Sequence, residues 1–222
     1  MRKHFSLPLL AAVTIALSAC SNKKVAPEAY TGFLKDYSVL TERRSPSGQT
    51  VLSWVSPTLK VERYTQIYIE PSQFYPKALP TERIPQTTLS DTTWYYDAAL
   101  KHELGKILPV VTTPGPKTLI VRPAITGVTA STQSLRYYEW LPVTLVAAGV
   151  STATGIRDQD SEIATEVVFL DGGTRAVVAQ VVRKGTGVPL DNDQQIITAA
   201  NVKAVLDGWA SDLRNSYLAM RP

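Results

Sequence analysis

One thiol, one histidine and a short run of carboxylates are the residues whose chemistry could define this chain. Cys20 is the only cysteine in 222 residues. It follows the small residues Ser18 and Ala19 and closes an apolar run, Phe5 to Leu17. Two histidines occur, His4 in that leader and His102 far from it. A lone His102 beside Lys101 and Glu103 reads as a solvated residue in mid-helix. No catalytic set can rest on a spare thiol, though the lone His102 could in principle serve a Ser-His-Asp one, and no Cys/His cluster has zinc spacing. Gly172-Gly173 and Gly185-x-Gly187 do not match a phosphate-binding loop, because neither ends in Lys-Ser nor opens a helix. The expectation is a chain with no catalytic residues, no metal and no cofactor. Acid–base chemistry without histidine would have to use carboxylates. Asp158, Asp160 and Glu162 crowd a charged turn, with Glu166 just beyond. Their expected state is solvated, with a loose calcium site or a carboxylate-dependent enzyme as the sharper alternatives. Trp94, Tyr95 and Tyr96 form one aromatic cluster. Tyr137, Tyr138 and Trp140 form a second beside Leu145 and Val146, and these five are the candidate interaction surface.

The thiol carries the stronger signal. Arg2 and Lys3 precede an apolar run of about 13 residues, the length of a signal-peptide core and well short of the about 20 needed to span a bilayer. Leu17-Ser18-Ala19-Cys20 resembles a bacterial lipobox. That resemblance implies cleavage before Cys20, a diacylglycerol on its sulfur and an acyl chain such as palmitate on its amine. Two or more chains anchor firmly, at about 0.8 kcal/mol per buried methylene. Ser21 in place of aspartate favours passage to the outer membrane over retention in the inner one, by analogy with Gram-negative lipoprotein sorting. The expected organisation is a signal peptide over 1–19, a tether over 20–29 and a single periplasmic domain over 30–222.

Composition narrows the classes. A hydrophobic content of 44% supplies a real core and excludes a disordered chain. The formal charge of +4 includes Arg2 and Lys3. Removing the leader takes two of 23 basic residues and none of 19 acidic ones, leaving +2. With no run of five basic residues, nucleic acid is not an expected partner. Acylation of Cys20 would leave no thiol, so the fold has no disulfide to lean on.

The elements that must position these residues follow from periodicity. Gln49 to Val55 and Gln66 to Glu70 read as strands, and Lys117 to Ala130 as a longer one whose Pro123 marks an edge or a bulge. Leu89 to Leu108 reads as a helix with Ser90 as N-cap, Leu89 and Trp94 as a hydrophobic staple, and Tyr96, Leu100, Leu104 and Ile107 on one face. Glu162 to Lys184 reads as a hairpin turning at Asp171-Gly172-Gly173-Thr174, where the glycines would accept positive φ. Gly185 to Gln195 reads as a polar loop. Ala199 to Met220 is amphipathic, with Val202, Leu206, Trp209, Leu213, Tyr217 and Met220 in one stripe. Leu141 to Gly155 is either a buried turn-and-helix or an exposed apolar flap. The sum is an α+β sandwich: one mixed, mainly antiparallel sheet with two main helices packed largely on one face.

Gly32-Phe33-Leu34-Lys35-Asp36-Tyr37-Ser38, Ala124-Ile125-Thr126-Gly127, Thr154 to Asp160 and Asp207-Gly208-Trp209-Ala210 together resemble a family of proteobacterial lipoproteins known only as domain of unknown function 3313. The resemblance implies an envelope lipoprotein and no particular activity. The element order is also similar to a wider set of periplasmic lipoprotein domains, including the peptidoglycan-synthase activator type and the periplasmic part of curli secretion channels. The functional expectation is a non-enzymatic module held to the membrane through acylated Cys20 and binding an envelope protein or polymer. A self-assembling, secretion-channel-like component is the alternative.

Overall fold

The computed structural model describes residues 31–131, 159–192 and 194–221. The strands are β1 (Thr41–Arg44), β2 (Thr50–Val55), β3 (Gln66–Ile69), β4 (Gln73–Phe74), β5 (Val110–Val111), β6 (Thr118–Ser131), β7 (Gln159–Asp171) and β8 (Val177–Leu190). The helices are α1 (Gln86–Leu104) and α2 (Ala199–Ala219). The strands form one eight-stranded sheet in the order β1-β2-β8-β7-β6-β3-β5, with β4 pairing β6 beyond the end of β3. Pairing is parallel where β3 meets β5 and β6 and where β4 meets β6, and antiparallel elsewhere. The expected α+β architecture is the observed one.

The sheet separates two cores. On one face Ile67, Val121, Ile125, Ile163 and Val167 pack against Leu100 and Leu104 of α1 and Leu206, Trp209 and Leu213 of α2. On the other face Leu52, Ile120, Val168 and Leu170 are covered by Leu34, Tyr37 and Leu40 from the segment before β1. Alternation along β7 makes the division: Val167 faces the helices and Val168 the strap. α1 lies against β3 and β4, and α2 against β8 and β7.

Several local expectations change. Helix α1 begins at Gln86, with Pro85 as the cap residue, because the threonines that look like competing caps are used inside. Thr88 Oγ1 donates to the Ile197 carbonyl at 2.6 Å and Thr92 Oγ1 to the Thr88 carbonyl at 2.6 Å. Ser90 is therefore inside the helix, and Trp94 is 71% exposed and staples nothing. The helix ends at Leu104 rather than Leu108; Gly105 N–H bonds the Lys101 carbonyl at 3.0 Å. Pro123 sits in an interior strand, opposite Val167 of β7. It is tolerated because β3 pairs only as far as Val121 and β4 starts at Ala124, so the missing N–H falls where the parallel partner changes. A bulge does follow, between Ile125 and Gly127.

The turn from β7 to β8 has its left-handed residue at Arg175 (φ 60°), and neither Gly172 nor Gly173 has positive φ. Gly172 is required for closeness: a Cβ there would meet the Gly115 carbonyl at 2.2 Å. Asp171 Oδ1 organises the turn, accepting the N–H groups of Gly173 at 3.0 Å and Thr174 at 2.8 Å. Gly185 to Leu190 continues β8 rather than forming a loop. A Cβ on Gly187 would meet the Asn201 carbonyl at 2.1 Å, so this glycine lets α2 lie directly on the strand. The α2 stripe is as expected up to Tyr217, while Met220 lies past the helix and is 40% exposed.

Candidate functional site

The helix face is incompletely covered, and the reason is width. Seven strands at about 4.8 Å span roughly 29 Å, whereas two helices of about 10 Å each cover about 20 Å. α1 and α2 sit toward β3, β7 and β8, which leaves the β1–β2 end of this face without a helix. Between β2, β8 and the C-terminal half of α2 a cavity of about 510 Å³ opens to solvent, within the range of small-molecule sites. Its floor reaches core residues: Val51, Val121, Val181 and Leu213 line it, and Ile67, at 0% exposure, lies at its depth. Arg43, Arg44, Asn215 and Ser216 stand among its polar lining.

One wall is held by a buried charge pair that periodicity alone did not single out. Arg183 and Asp212 have side chains 4% and 3% exposed and meet at 2.9 Å between Nη1 and Oδ2. Asp212 also accepts the Ser47 N–H at 3.0 Å and the Ser47 hydroxyl at 2.8 Å. The β1–β2 turn is thereby tied to α2, across the cavity from the sheet. A buried charge needs such a set of partners to persist. Arg183 Nε has no hydrogen-bond partner among the described residues. A signal was present in the sequence. Arg183 shares a strand face with Val181, so an arginine directed into the core demanded a carboxylate, and Asp212 adjoins the apolar stripe of α2.

The carboxylates singled out in the sequence divide. Asp158 lies outside the described residues. Asp160 is half-buried on β7, which begins at Gln159, so the expected charged turn is partly strand. Glu162 and Glu166 are both 1% exposed, for Glu162 against the expectation of a solvated side chain. Glu162 Oε2 pairs with Lys184 Nζ at 2.9 Å, and its Oε1 has no hydrogen-bond partner among the described residues. Glu166 accepts the Thr31 hydroxyl at 2.7 Å and the Tyr37 hydroxyl at 2.6 Å. Tyr37 Oη in turn accepts the N–H groups of Gly32 at 3.1 Å and Leu34 at 3.2 Å. Burial raises the Glu166 carboxyl above its ordinary value, the two hydroxyls opposing that rise. Burial, then the charge of Glu166, pushes the Tyr37 phenol up to about 12. The Gly32-to-Ser38 motif is thus a folded strap. Gly32 supplies a positive φ of 86°, Leu34 enters the core, Asp36 accepts the Ser38 N–H at 2.8 Å, and Tyr37 reads Glu166. Both buried glutamates lie away from the cavity lining.

His102 has 71% of its side chain exposed, 3.7 Å from Glu103. Among the described residues no group of three His, Cys, Asp or Glu is placed to hold a metal ion, and no helix is long and apolar enough to cross a membrane. Of the first aromatic cluster, Tyr96 is core, while Tyr95 donates to Asp207 Oδ1 at 2.6 Å and carries Lys203 Nζ over its ring at 4.8 Å. The polar side of α2 is therefore spent on α1 rather than on an internal Lys203–Asp207 pair. Leu17, Ser18, Ala19 and Cys20, the candidate surface of Tyr137, Tyr138, Trp140, Leu145 and Val146, and the whole segment from Leu141 to Gly155 lie outside the described residues.

An α+β domain with a strap on one sheet face and an open apolar cavity on the other is the class of protein that emerges. The chain belongs to the family described as "Protein of unknown function (DUF3313)", which matches residues 29–213. It is 39% identical over 198 residues to a protein named "Uncharacterized lipoprotein YdcL" from Escherichia coli K12, covering 89% of each chain, and equally to its counterpart in Escherichia coli O157:H7. Among solved structures it is similar to the hypothetical protein CT253 from Chlamydia trachomatis, at 8% identity and a TM-score of 0.46, covering 70% of this chain and 99% of that one. It is also similar to protein XCC0632 from Xanthomonas campestris, at 13% identity and a TM-score of 0.44, covering 70% and 84%. A PelC dodecamer from Paraburkholderia phytofirmans matches at 13% identity and a TM-score of 0.40, covering 74% and 96%.

Proposed function

We propose that this protein is an envelope lipoprotein, anchored through acylated Cys20 to the outer membrane and facing the periplasm, whose domain is a non-catalytic binding module. The observation that carries the binding role is the cavity of about 510 Å³ between β2, β8 and α2, whose lining includes core aliphatic residues. An apolar floor left open costs burial at about 25 cal/mol per Å², and an apolar ligand recovers that term. The lipobox-like Leu17-Ser18-Ala19-Cys20 and a relative that is itself named a lipoprotein support the anchoring. A protein or polymer partner from the envelope remains compatible with the same anchored module. What favours this reading over a carboxylate-dependent enzyme is that Glu162 pairs with Lys184 and Glu166 with the strap, and that neither lines the cavity.

The test uses the full-length protein purified from membranes into zwitterionic nanodiscs. A neutral, environment-sensitive apolar fluorophore is expected to bind saturably, and Ser53→Phe, which places an aromatic ring from β2 into the cavity, to abolish that binding. Saturable binding unchanged by the substitution would overturn the cavity as the site. Turnover of an envelope substrate that a single point mutation abolishes would overturn the non-catalytic role. Membrane fractionation of the wild type and Cys20→Ala tests the anchor: the wild type is expected with outer-membrane material and the variant in the soluble periplasmic fraction.

A further inference from the structure

The cavity lining is one-sided in charge. Three arginines line it and no carboxylate does, among the described residues. Arg183 is compensated from behind by Asp212. Arg43 and Arg44 are exposed and have no such compensation: Arg43 Nε donates to the Thr41 hydroxyl at 3.3 Å and Arg44 Nη1 to the Gly48 carbonyl at 2.9 Å, both neutral acceptors. Register places Arg43 opposite Val51. Paired residues of adjacent strands share a face, so Arg43 leaves the sheet on the side of the aliphatic floor. The site therefore joins an apolar floor of Val51, Val121, Val181 and Leu213 to cations along the β1 side.

We infer that the cavity binds a single-chain amphiphile with an anionic head, its acyl chain along the aliphatic floor and its head at Arg43. The inference rests on the cavity being a binding site and adds what occupies it. A sugar polymer would need hydrogen-bonding groups along its length, and the lining is mainly aliphatic, with Ser53, Gln180, Asn215 and Ser216 scattered among it. A neutral hydrocarbon would leave the arginines without a use. The volume of about 510 Å³ falls in the lower half of the small-molecule range of about 300–1,000 Å³, the size of a single-chain rather than a two-chain ligand. Guanidinium groups suit carboxylate and phosphate heads alike, through paired charge-assisted donors.

The experiment titrates full-length protein in zwitterionic nanodiscs with cis-parinaric acid, whose fluorescence rises on leaving water, and with its methyl ester. The acid is expected to bind about tenfold more tightly than the ester, one charge-assisted contact being worth about that ratio, and the preference should shrink with added salt. Arg43→Gln is expected to remove the preference, bringing the affinity for the acid down to that for the ester. Ser53→Phe, and independently Ala219→Trp from the opposite wall, should weaken both ligands. Two obstructing variants guard against one that fails to fold. Competition by palmitate alone assigns a free acid, and competition by palmitoyl lysophosphatidylglycerol as well assigns single-chain anions generally; either upholds the inference. Equal affinity for acid and ester overturns the anionic head while the cavity stays a binding site. Equal signals from the wild type and both obstructing variants report partition into nanodisc lipid, and overturn the site itself.

Discussion

The two faces of the sheet are closed by different means, and a buried carboxylate secures each closure. On the helix face, two long amphipathic elements supply most of the cover, and Asp212 ties the β1–β2 turn to α2 through Ser47 and Arg183. On the other face a strap of about ten residues, too short to bury much by itself, is fixed by Glu166 through Thr31 and Tyr37. Asp212 is balanced by a full charge, Glu166 by hydroxyl dipoles. The face with the larger cover is the one left with an opening, because helices come in fixed widths. The short strap can follow the sheet residue by residue. A binding site arises here where a coarse element meets a sheet wider than itself.

That contrast can be broken by substitution. Asp212→Ala is expected to have the largest effect, about 3–5 kcal/mol, because it strands a buried guanidinium. The check is the denaturant midpoint at unchanged slope. A loss under about 1 kcal/mol would mean that water reaches Arg183 through the cavity, and that the wall does not depend on the pair. Tyr37→Phe is expected to cost about 2 kcal/mol, since Glu166 loses a donor and two N–H groups lose an acceptor. The loss should be concentrated in the strap, read as faster hydrogen exchange at Gly32 and Leu34 with α2 amides little changed. Uniform acceleration would show that the strap and the helices open together. Gly187→Ala acts on the helix face alone. Its Cβ would meet the Asn201 carbonyl at 2.1 Å, so α2 must back off, at about 1–2 kcal/mol, visible as a lowered thermal midpoint.

The sequence was informative where one element repeats one rule. The α2 stripe from Val202 to Tyr217, the alternation in β7 and the mixed sheet all follow from periodicity. It misled where tertiary partners decide. Ser90 looked like a cap because nothing local says that Thr88 reaches the Ile197 carbonyl, 109 residues away. Glu162 looked solvated because its compensation comes from Lys184 on β8, and nothing near Glu166 announces a strap 129 to 135 residues earlier. Pro123 pointed to an edge or a bulge, and only the bulge is near, because the gap between β3 and β4 is a property of pairing, not of the strand itself. The cavity is the extreme case. No residue marks it, since it is the difference between the width of a sheet and the width of its cover. Only its arginines were visible, as the pair Arg43-Arg44.

The smallest expected effect separates the two carboxylates by pH. Burial holds the Glu166 carboxyl above its ordinary value, so the folded state binds that proton more tightly than the unfolded one. Its contribution to stability is complete below the ordinary glutamate value, near about 4.3, and is lost as pH rises through the raised folded value. Asp171, at the far end of the same strand, has the opposite sign. The Thr174 N–H, and further bonds from Thr174, Tyr64 and Gly173, hold it below the ordinary aspartate value. Its contribution is present above that value and lost as pH falls through the depressed one. Glu166→Gln removes only the first of these. The variant is expected to lose less stability than the wild type on going from the ordinary glutamate value toward neutrality. The difference in slope is bounded by one proton, about 1.4 kcal/mol per pH unit, and denaturant midpoints across that range read it. Identical slopes would mean that the strap leaves Glu166 as well solvated as an unfolded glutamate, and the contrast between a face sealed by dipoles and a face held by an ion pair would fall.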